Sequence, residues 1–69
     1  MQNISSQILG VLFNGETMTA ADLDSRIGAG LPQVLKALAR LRDRGHVKRI
    51  GKVRPFRWEI TPTGERKAI

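Results

Sequence analysis

The chain has 69 residues, contains no cysteine and carries a formal net charge of +6. A chain of this length is expected to form a single domain over residues 1–69, with a small core. The lack of cysteine excludes disulfides and thiolate metal sites, and no apolar run reaches the ~18 residues of a membrane span. The N-terminus also lacks the basic start and apolar core of a signal peptide, so we expect a cytoplasmic protein.

Positive charge is concentrated in one part of the chain. Residues 36–57 contain nine Lys or Arg against Asp43 alone, a net +8, whereas residues 1–35 carry a net −2 and residues 58–69 are neutral. A basic stretch can simply be a solvated face that keeps a protein soluble. A basic segment beside an acidic one is better explained by a polyanionic partner.

The first part of the chain predicts two helices. Apolar residues at helical spacing predict a helix over residues 4–13, whose inward side holds Ile4, Ile8, Leu9 and Leu12. Thr19 is a good N-cap residue, and Asp22 follows three positions later as in a capping box. A second helix should therefore run over residues 20–27, preceded by one or two residues of strand at Thr17-Met18.

The third helix has the most distinct pattern. Pro32 marks its start, because proline is tolerated only in the first turn, and Gly45 marks its end. One side is predicted to pack inward and carries the apolar residues Leu31, Val34, Leu35, Leu38 and Leu41. The opposite side is predicted to be exposed and holds Gln33, Lys36, Ala37, Arg40 and Arg44.

A basic hairpin is predicted to follow. Residues 47–50 form its first strand, and apolar side chains alternate with charged ones over residues 56–60, as in a half-buried second strand. The connection at residues 51–55 is a polar, basic loop. Trp58 is predicted to anchor the hairpin on the helices, although such a ring can also stack on an exposed base. The tail, residues 61–69, is predicted to begin a short helix at Thr61-Pro62.

This order of elements is typical of a winged helix-turn-helix domain. Two helices joined by a short glycine-containing turn form the helix-turn-helix unit, and its second helix fits the major groove, which is about 12 Å wide. Residues 31–44 combine an inner apolar stripe with an outer face that donates hydrogen bonds and positive charge. The predicted fold class is α+β, mainly α, with three helices and a small β-hairpin wing over residues 47–60.

Three motifs resemble those of bacterial winged-helix repressors of the MarR type and the ArsR type. Residues 41–47 are similar to the Leu-x-x-x-Gly-hydrophobic-Val pattern that closes their recognition helix. Residues 58–64 look like their aromatic-x-Leu-Thr-x-x-Gly pattern at the end of the wing, and residues 19–23 resemble the start of their second helix. The resemblance covers about residues 4–64 and implies a bacterial or phage transcriptional regulator. It also implies a homodimer; the sequence does not show the dimer surface, for which the first helix and the tail after Thr61 are the candidates.

The chain departs from these families at several points. His46 replaces the usual apolar residue and is interpreted as a surface residue, and Gly30 replaces a Ser or Thr cap. The 69 residues do not include the long dimerising helices of MarR-type regulators or a metal-sensing cluster, so no cofactor or metal is expected and classical ligand or metal induction is not favoured. A second resemblance, to winged helices that bind Z-DNA, fails because Leu35 and Ala39 replace their Asn and Tyr.

The basic residues of the third helix and the wing are the predicted DNA contacts. Arg40 is expected to reach a guanine edge or a phosphate, and Gln33 either to read a base or to bond the helix start. Arg44 either contacts DNA or complements the helix dipole. Lys52 and Arg54 would meet phosphates or the minor groove. The predicted DNA-binding set is Gln33, Lys36, Ala37, Arg40, Arg44, Arg49, Lys52, Arg54 and Arg57.

The predicted function is sequence-specific binding of double-stranded DNA by a transcriptional regulator at the nucleoid. Residues 31–44 would enter the major groove, and residues 47–60 would lie on the backbone or in the minor groove. An enzyme is not predicted, because His–acid pairs, clustered carboxylates and phosphate-cradling glycine motifs are missing from the sequence. The alternative is a winged-helix protein-interaction module within a larger nucleic-acid-related assembly, for which the outer face of residues 33–44 should be apolar or mixed in charge. RNA binding is less favoured, because no exposed aromatic pair offers a stacking platform.

Overall fold

The helices and strands follow the predicted order, including the short helix predicted to begin in the tail, and the short first strand pairs with the hairpin. A computed structural model describes residues 3–68; Met1, Gln2 and Ile69, which the predicted domain also includes, lie outside the described residues. Over this range the chain forms four helices and one three-stranded antiparallel sheet. The helices are α1 (Ile4–Leu12), α2 (Ala20–Ile27), α3 (Leu31–Asp43) and α4 (Pro62–Ala68), and the strands are β1 (Met18–Thr19), β2 (Val47–Ile50) and β3 (Arg57–Ile60).

Side-chain caps and a glycine set the ends of the first two helices. The Asn3 side chain accepts a hydrogen bond from the Ser6 backbone N–H at 2.8 Å and caps α1. The capping box predicted for α2 is confirmed, because the Asp22 N–H donates to Thr19 Oγ1 at 3.1 Å and the Thr19 N–H donates to Asp22. Gly28 ends α2 with a φ of 74°, a left-handed conformation that glycine adopts without steric cost.

The turn between α2 and α3 is held by Asp24. Its Oδ1 accepts the Gly30 N–H at 2.7 Å, and its backbone carbonyl accepts the Gly28 N–H at 2.6 Å. Pro32 lies in the first turn of α3, as predicted. These bonds fix the short connection that sets the angle between α2 and α3, which together form the helix-turn-helix unit.

The sheet joins the hairpin to the body of the molecule. β3 lies between β1 and β2, with Met18 opposite Trp58 and Val47 opposite Ile60. All four of these side chains are buried, so the sheet turns one apolar face toward the helices. Trp58 is only 7% exposed, which confirms its predicted packing on the helices.

The buried side of α3 differs from the predicted stripe. Val34, Leu38 and Leu41 are buried as expected, but Leu31 and Leu35 are 41% and 48% exposed. Ala37, predicted to face DNA, is a core residue with 7% exposure. The prediction was wrong because both groupings of apolar residues satisfy the helical spacing, and the packing of α1 over the Ala37 side selects one of them.

The tail forms a complete short helix that packs on the turn after α3. Thr61 Oγ1 donates to the Gly45 carbonyl at 2.5 Å and accepts the Gly64 N–H at 3.1 Å, so this residue joins the turn to the start of α4. The Thr61 N–H also donates to the His46 carbonyl at 3.0 Å. Gly64 is buried, and a Cβ built on it would overlap that same carbonyl oxygen. Glycine at this position is therefore what allows α4 to pack so closely.

Candidate nucleic-acid interface

The exposed side of α3 is divided lengthwise into two strips. Both are exposed because the buried residues of α3 occupy the remaining side of the helix. The basic strip lies toward the N-terminal end of α1 and consists of Gln33, Lys36, Arg40 and Arg44. The apolar strip lies toward the hairpin and consists of Leu31, Leu35 and Ala39.

The cations of the basic strip are not neutralised by nearby acids. Within residues 3–68, Lys36, Arg40 and Arg44 form no salt bridge, whereas Lys48 pairs with Glu59 at 3.4 Å on the hairpin. Unpaired charges on one exposed helix face produce a positive potential that attracts an anionic partner. The basic strip is therefore available for an external ligand.

A cleft of about 260 Å³ extends the basic strip toward α4. Arg40 and Arg44 line it together with Lys67, a residue that the sequence did not point to because α4 was predicted only as a short helix start. His46, predicted to lie at the surface, is only partly exposed here, and its Nδ1 has no hydrogen-bond partner among the described residues. The structure thus adds a cation from the tail to the predicted basic surface.

The side chains of the hairpin point to two opposite faces. Arg49 and Trp58 pair across the strands and share the face turned toward α3, where the Arg49 guanidinium carbon lies 4.2 Å from the centre of the Phe56 ring. Strand alternation places Arg57 on the outer face, where its Nη1 donates to Thr17 Oγ1 at 3.3 Å. Lys52 lies in the exposed connection at the tip. The wing arginines therefore do not form a single row.

A groove of about 720 Å³ separates α3 from the hairpin, and we call it the wing groove. Its apolar lining comes from the apolar strip on one side, from Pro55, Phe56 and Trp58 on the other, and from Ala20 and Ala21 at the start of α2. Its cations are Arg42, Arg49 and Arg54. The groove is thus apolar inside and carries positive charge on the hairpin side and at the far end of α3.

The predicted site residues fall into separate groups. Four of them form the basic strip, Arg49 and Arg54 line the wing groove, Lys52 is at the tip and Arg57 lies on the outer face. Ala37 leaves the set because it is buried. The sequence analysis did not predict that Leu31 and Leu35 are exposed. Helical spacing shows that leucines share a face, but it does not show which of them pack against a neighbouring element.

The part of the chain that the structure describes contains neither a membrane-spanning helix nor a cluster of metal-ligating side chains. Within residues 3–68, no helix is long and apolar enough to cross a bilayer. The same residues contain no group of three or more His, Cys, Asp or Glu side chains placed to hold a metal ion.

The fold is that of winged-helix transcriptional regulators of the MarR type, which confirms the predicted fold class. The transcriptional regulator BldR from Sulfolobus solfataricus superposes with a TM-score of 0.85 at 25% identity, over 94% of this chain and 48% of that one. The oxidised form of MarR from E. coli gives 0.82 at 19% identity, over 93% and 47% of the two chains. MepR from S. aureus, in a complex with DNA, gives 0.83 at 18% identity, over 99% and 59%.

The similarity is one of structure and covers part of each relative. The chain spans about half the length of these solved proteins. Comparison of the sequence with protein-family models and with curated proteins finds no match.

Proposed function

We propose that this chain binds double-stranded DNA as a transcriptional regulator, with α3 in the major groove and the wing on the backbone or in the minor groove. The main observation in support of DNA binding is the row of exposed cations along α3, which have no acidic partner within residues 3–68. An α-helix with its side chains is about 10–12 Å across and fits a groove about 12 Å wide. The similar fold of MepR, solved in a complex with DNA, supports DNA binding by a domain of this fold.

The basic strip and the wing would have different roles in the recognition of DNA. Arg40 and Gln33 on the exposed side of α3 are the candidates for base edges, because recognition helices present such side chains to the groove floor. Lys36, Arg44 and Lys67 would meet phosphates beside the basic strip. Lys52 and Arg54 at the tip, with Arg49 and Arg57 flanking them, would hold the backbone and fix the position of the domain without reading sequence.

The proposal also includes the oligomeric state and the location. The protein would act as a homodimer in the cytoplasm, at the nucleoid. Two copies related by a two-fold axis would read half-sites about 34–36 Å apart on one face of the duplex. The exposed Phe13 ring at the end of α1 lies on one of the two surfaces expected to pair. No catalytic role is proposed, in keeping with the transcriptional regulators of similar fold.

A second candidate function, a protein-interaction module, is favoured by one observation. Leu31 and Leu35 expose apolar surface beside the wing groove, and Leu35 lies within residues 33–44, where an interaction module is expected to be apolar or mixed in charge. The unpaired cations on both sides of this surface favour DNA instead, because a duplex presents a row of phosphates on each side of its groove. The two functions differ in the salt dependence of binding.

Binding to duplex DNA is expected to weaken steeply with salt. If about four to six of the cations meet phosphates, log K against log salt should have a slope of about −3.5 to −5.5. Fluorescence anisotropy of a labelled duplex between low and moderate salt measures this slope. A slope near zero, or no binding at low salt, would contradict DNA binding and favour the interaction module.

Replacing single cations should separate base reading from positioning. Arg40→Ala should cost about 1–3 kcal/mol of binding free energy on the best duplex selected from random sequences. The same change should cost little on random DNA. Lys52→Ala should weaken binding to both kinds of duplex alike and reduce the salt slope by about 1. Anisotropy titrations of each variant on both duplexes give these values.

Arg26→Ala is the matched control, because this arginine is exposed on α2, away from α3 and the wing. It removes the same charge and should change neither the affinity nor the sequence preference. If Lys52→Ala altered the sequence preference and Arg40→Ala did not, the wing would be the reading element and the assignment would be reversed.

A further inference from the structure

The apolar strip is not explained by phosphate binding or by hydrogen bonds to bases. Leu31 and Leu35 keep 41% and 48% of their surface exposed, although Val34 and Leu38 between and beside them are fully buried. Burial of such side chains from water is favourable, and exposed leucines on one helix face mark a surface that a partner covers. Neither side chain donates or accepts a hydrogen bond, so the feature they recognise must itself be apolar.

Charges lie on both long sides of this strip. Lys36 and Arg44, which are proposed to meet phosphates, lie on the side of α1, and Arg49 and Arg54 face the strip across the wing groove. The major groove of a duplex has a matching arrangement of opposite charge, with a row of negative phosphates on each side and the base edges between them. The apolar strip therefore corresponds to the floor of the groove and the cations to its two edges.

Thymine provides the apolar group on that floor. Its C5 methyl projects into the major groove, whereas cytosine offers an amino donor and no methyl, and the purines offer ring nitrogen and exocyclic groups. A leucine can pack on the methyl but leaves the cytosine amino group without an acceptor. We infer that Leu31 and Leu35 recognise thymines by contact with the thymine methyl groups; this inference rests on the proposed DNA-binding function.

The spacing of the two leucines sets the expected pattern. They are four residues apart, about 6 Å along the helix axis. Since base pairs are stacked at about 3.4 Å and a recognition helix lies along the groove, the two side chains reach positions within about two base steps of each other. Preferred sites are therefore expected to carry thymine, on either strand, at two positions within about this distance.

Replacing thymine with deoxyuridine removes the methyl group and leaves base pairing and the O4 acceptor unchanged. Each thymine of the best selected duplex is replaced in turn, and affinity is measured by anisotropy at fixed salt. Burial of one methyl corresponds to a change of about fourfold in affinity. We expect about this loss at the two contacted positions and no change at the others. Selected duplexes without a thymine preference, or equal affinity for thymine and uridine throughout, would overturn the inference.

Protein variants assign the effect to the apolar strip. Leu35→Ala truncates a half-exposed side chain, so the fold should be retained, and it should abolish the difference between thymine and deoxyuridine at one position. Leu31→Ala should do the same at the other position. Arg26→Ala is the control, because it truncates an exposed side chain on α2, away from α3 and the wing, and should leave both differences intact.

The outcomes distinguish this inference from the proposed function. Binding with the expected salt slope but without any response to deoxyuridine would overturn thymine reading and leave DNA binding intact. No binding to any duplex at low salt would overturn both, and the apolar strip would then be a surface for a protein partner.

Discussion

Trp58→Ala is expected to leave the protein largely unfolded at ambient temperature. The Trp58 ring is 7% exposed and lies on the middle strand of the sheet, opposite Met18 on one side. Truncation of a buried aromatic residue to alanine costs about 3–5 kcal/mol, and a domain of this size has a stability of only about 3–5 kcal/mol. Far-UV circular dichroism and thermal melting beside the parent protein measure the loss, and DNA binding should disappear with the fold.

Trp58→Phe is the control for the role of this ring. Phenylalanine keeps an aromatic ring on the buried face of β3, so this variant should fold, melt cooperatively and still bind DNA. A Trp58→Ala protein with the parental Tm that no longer binds DNA would show the ring to be a ligand contact. Recognition of Z-DNA or of single strands would then have to be considered again.

Gly64→Ala is expected to destabilise the protein, although alanine is the better helix former. Helix propensity alone predicts a gain of about 1 kcal/mol for this change. The added Cβ would overlap the His46 carbonyl oxygen and stand 2.8 Å from the Ile60 side chain, and a backbone atom cannot move aside as a flexible side chain can. Overpacking of this kind costs about 1–3 kcal/mol, and more where the backbone must shift. Each kcal/mol lowers Tm by about 4–8 °C in a domain of this size.

Gly10→Ala provides a control with the opposite sign. Gly10 is exposed in α1, and a Cβ built there meets nothing within 4 Å, so the change should raise Tm through helix propensity alone. Differential scanning fluorimetry of both variants separates the two effects. An increase in Tm for Gly64→Ala equal to that of Gly10→Ala would show that α4 does not pack on the turn after α3 in solution.

The local features of this fold could be predicted from the sequence because their causes are local. The capping box of Thr19 and Asp22 spans four residues, and Gly28 ends α2 through a bond to Asp24, four positions earlier. The alternation that buries Trp58 is a property of one strand. The concentration of positive charge in residues 36–57 was likewise visible without any structure.

The rotation of α3 could not be predicted, because it depends on which neighbours cover the helix. Leu31 and Leu35 fit a helical stripe as well as Ala37 does, and only the packing of α1 and the distance of the wing decide between them. The same holds for one cation, because the packing of α4 brings Lys67 beside the basic strip. Spacing along a chain fixes which residues share a face of a helix or strand, but the partner of that face is set by contacts between residues distant in sequence. The tertiary structure therefore decided that the surface of α3 beside the wing is apolar and exposed.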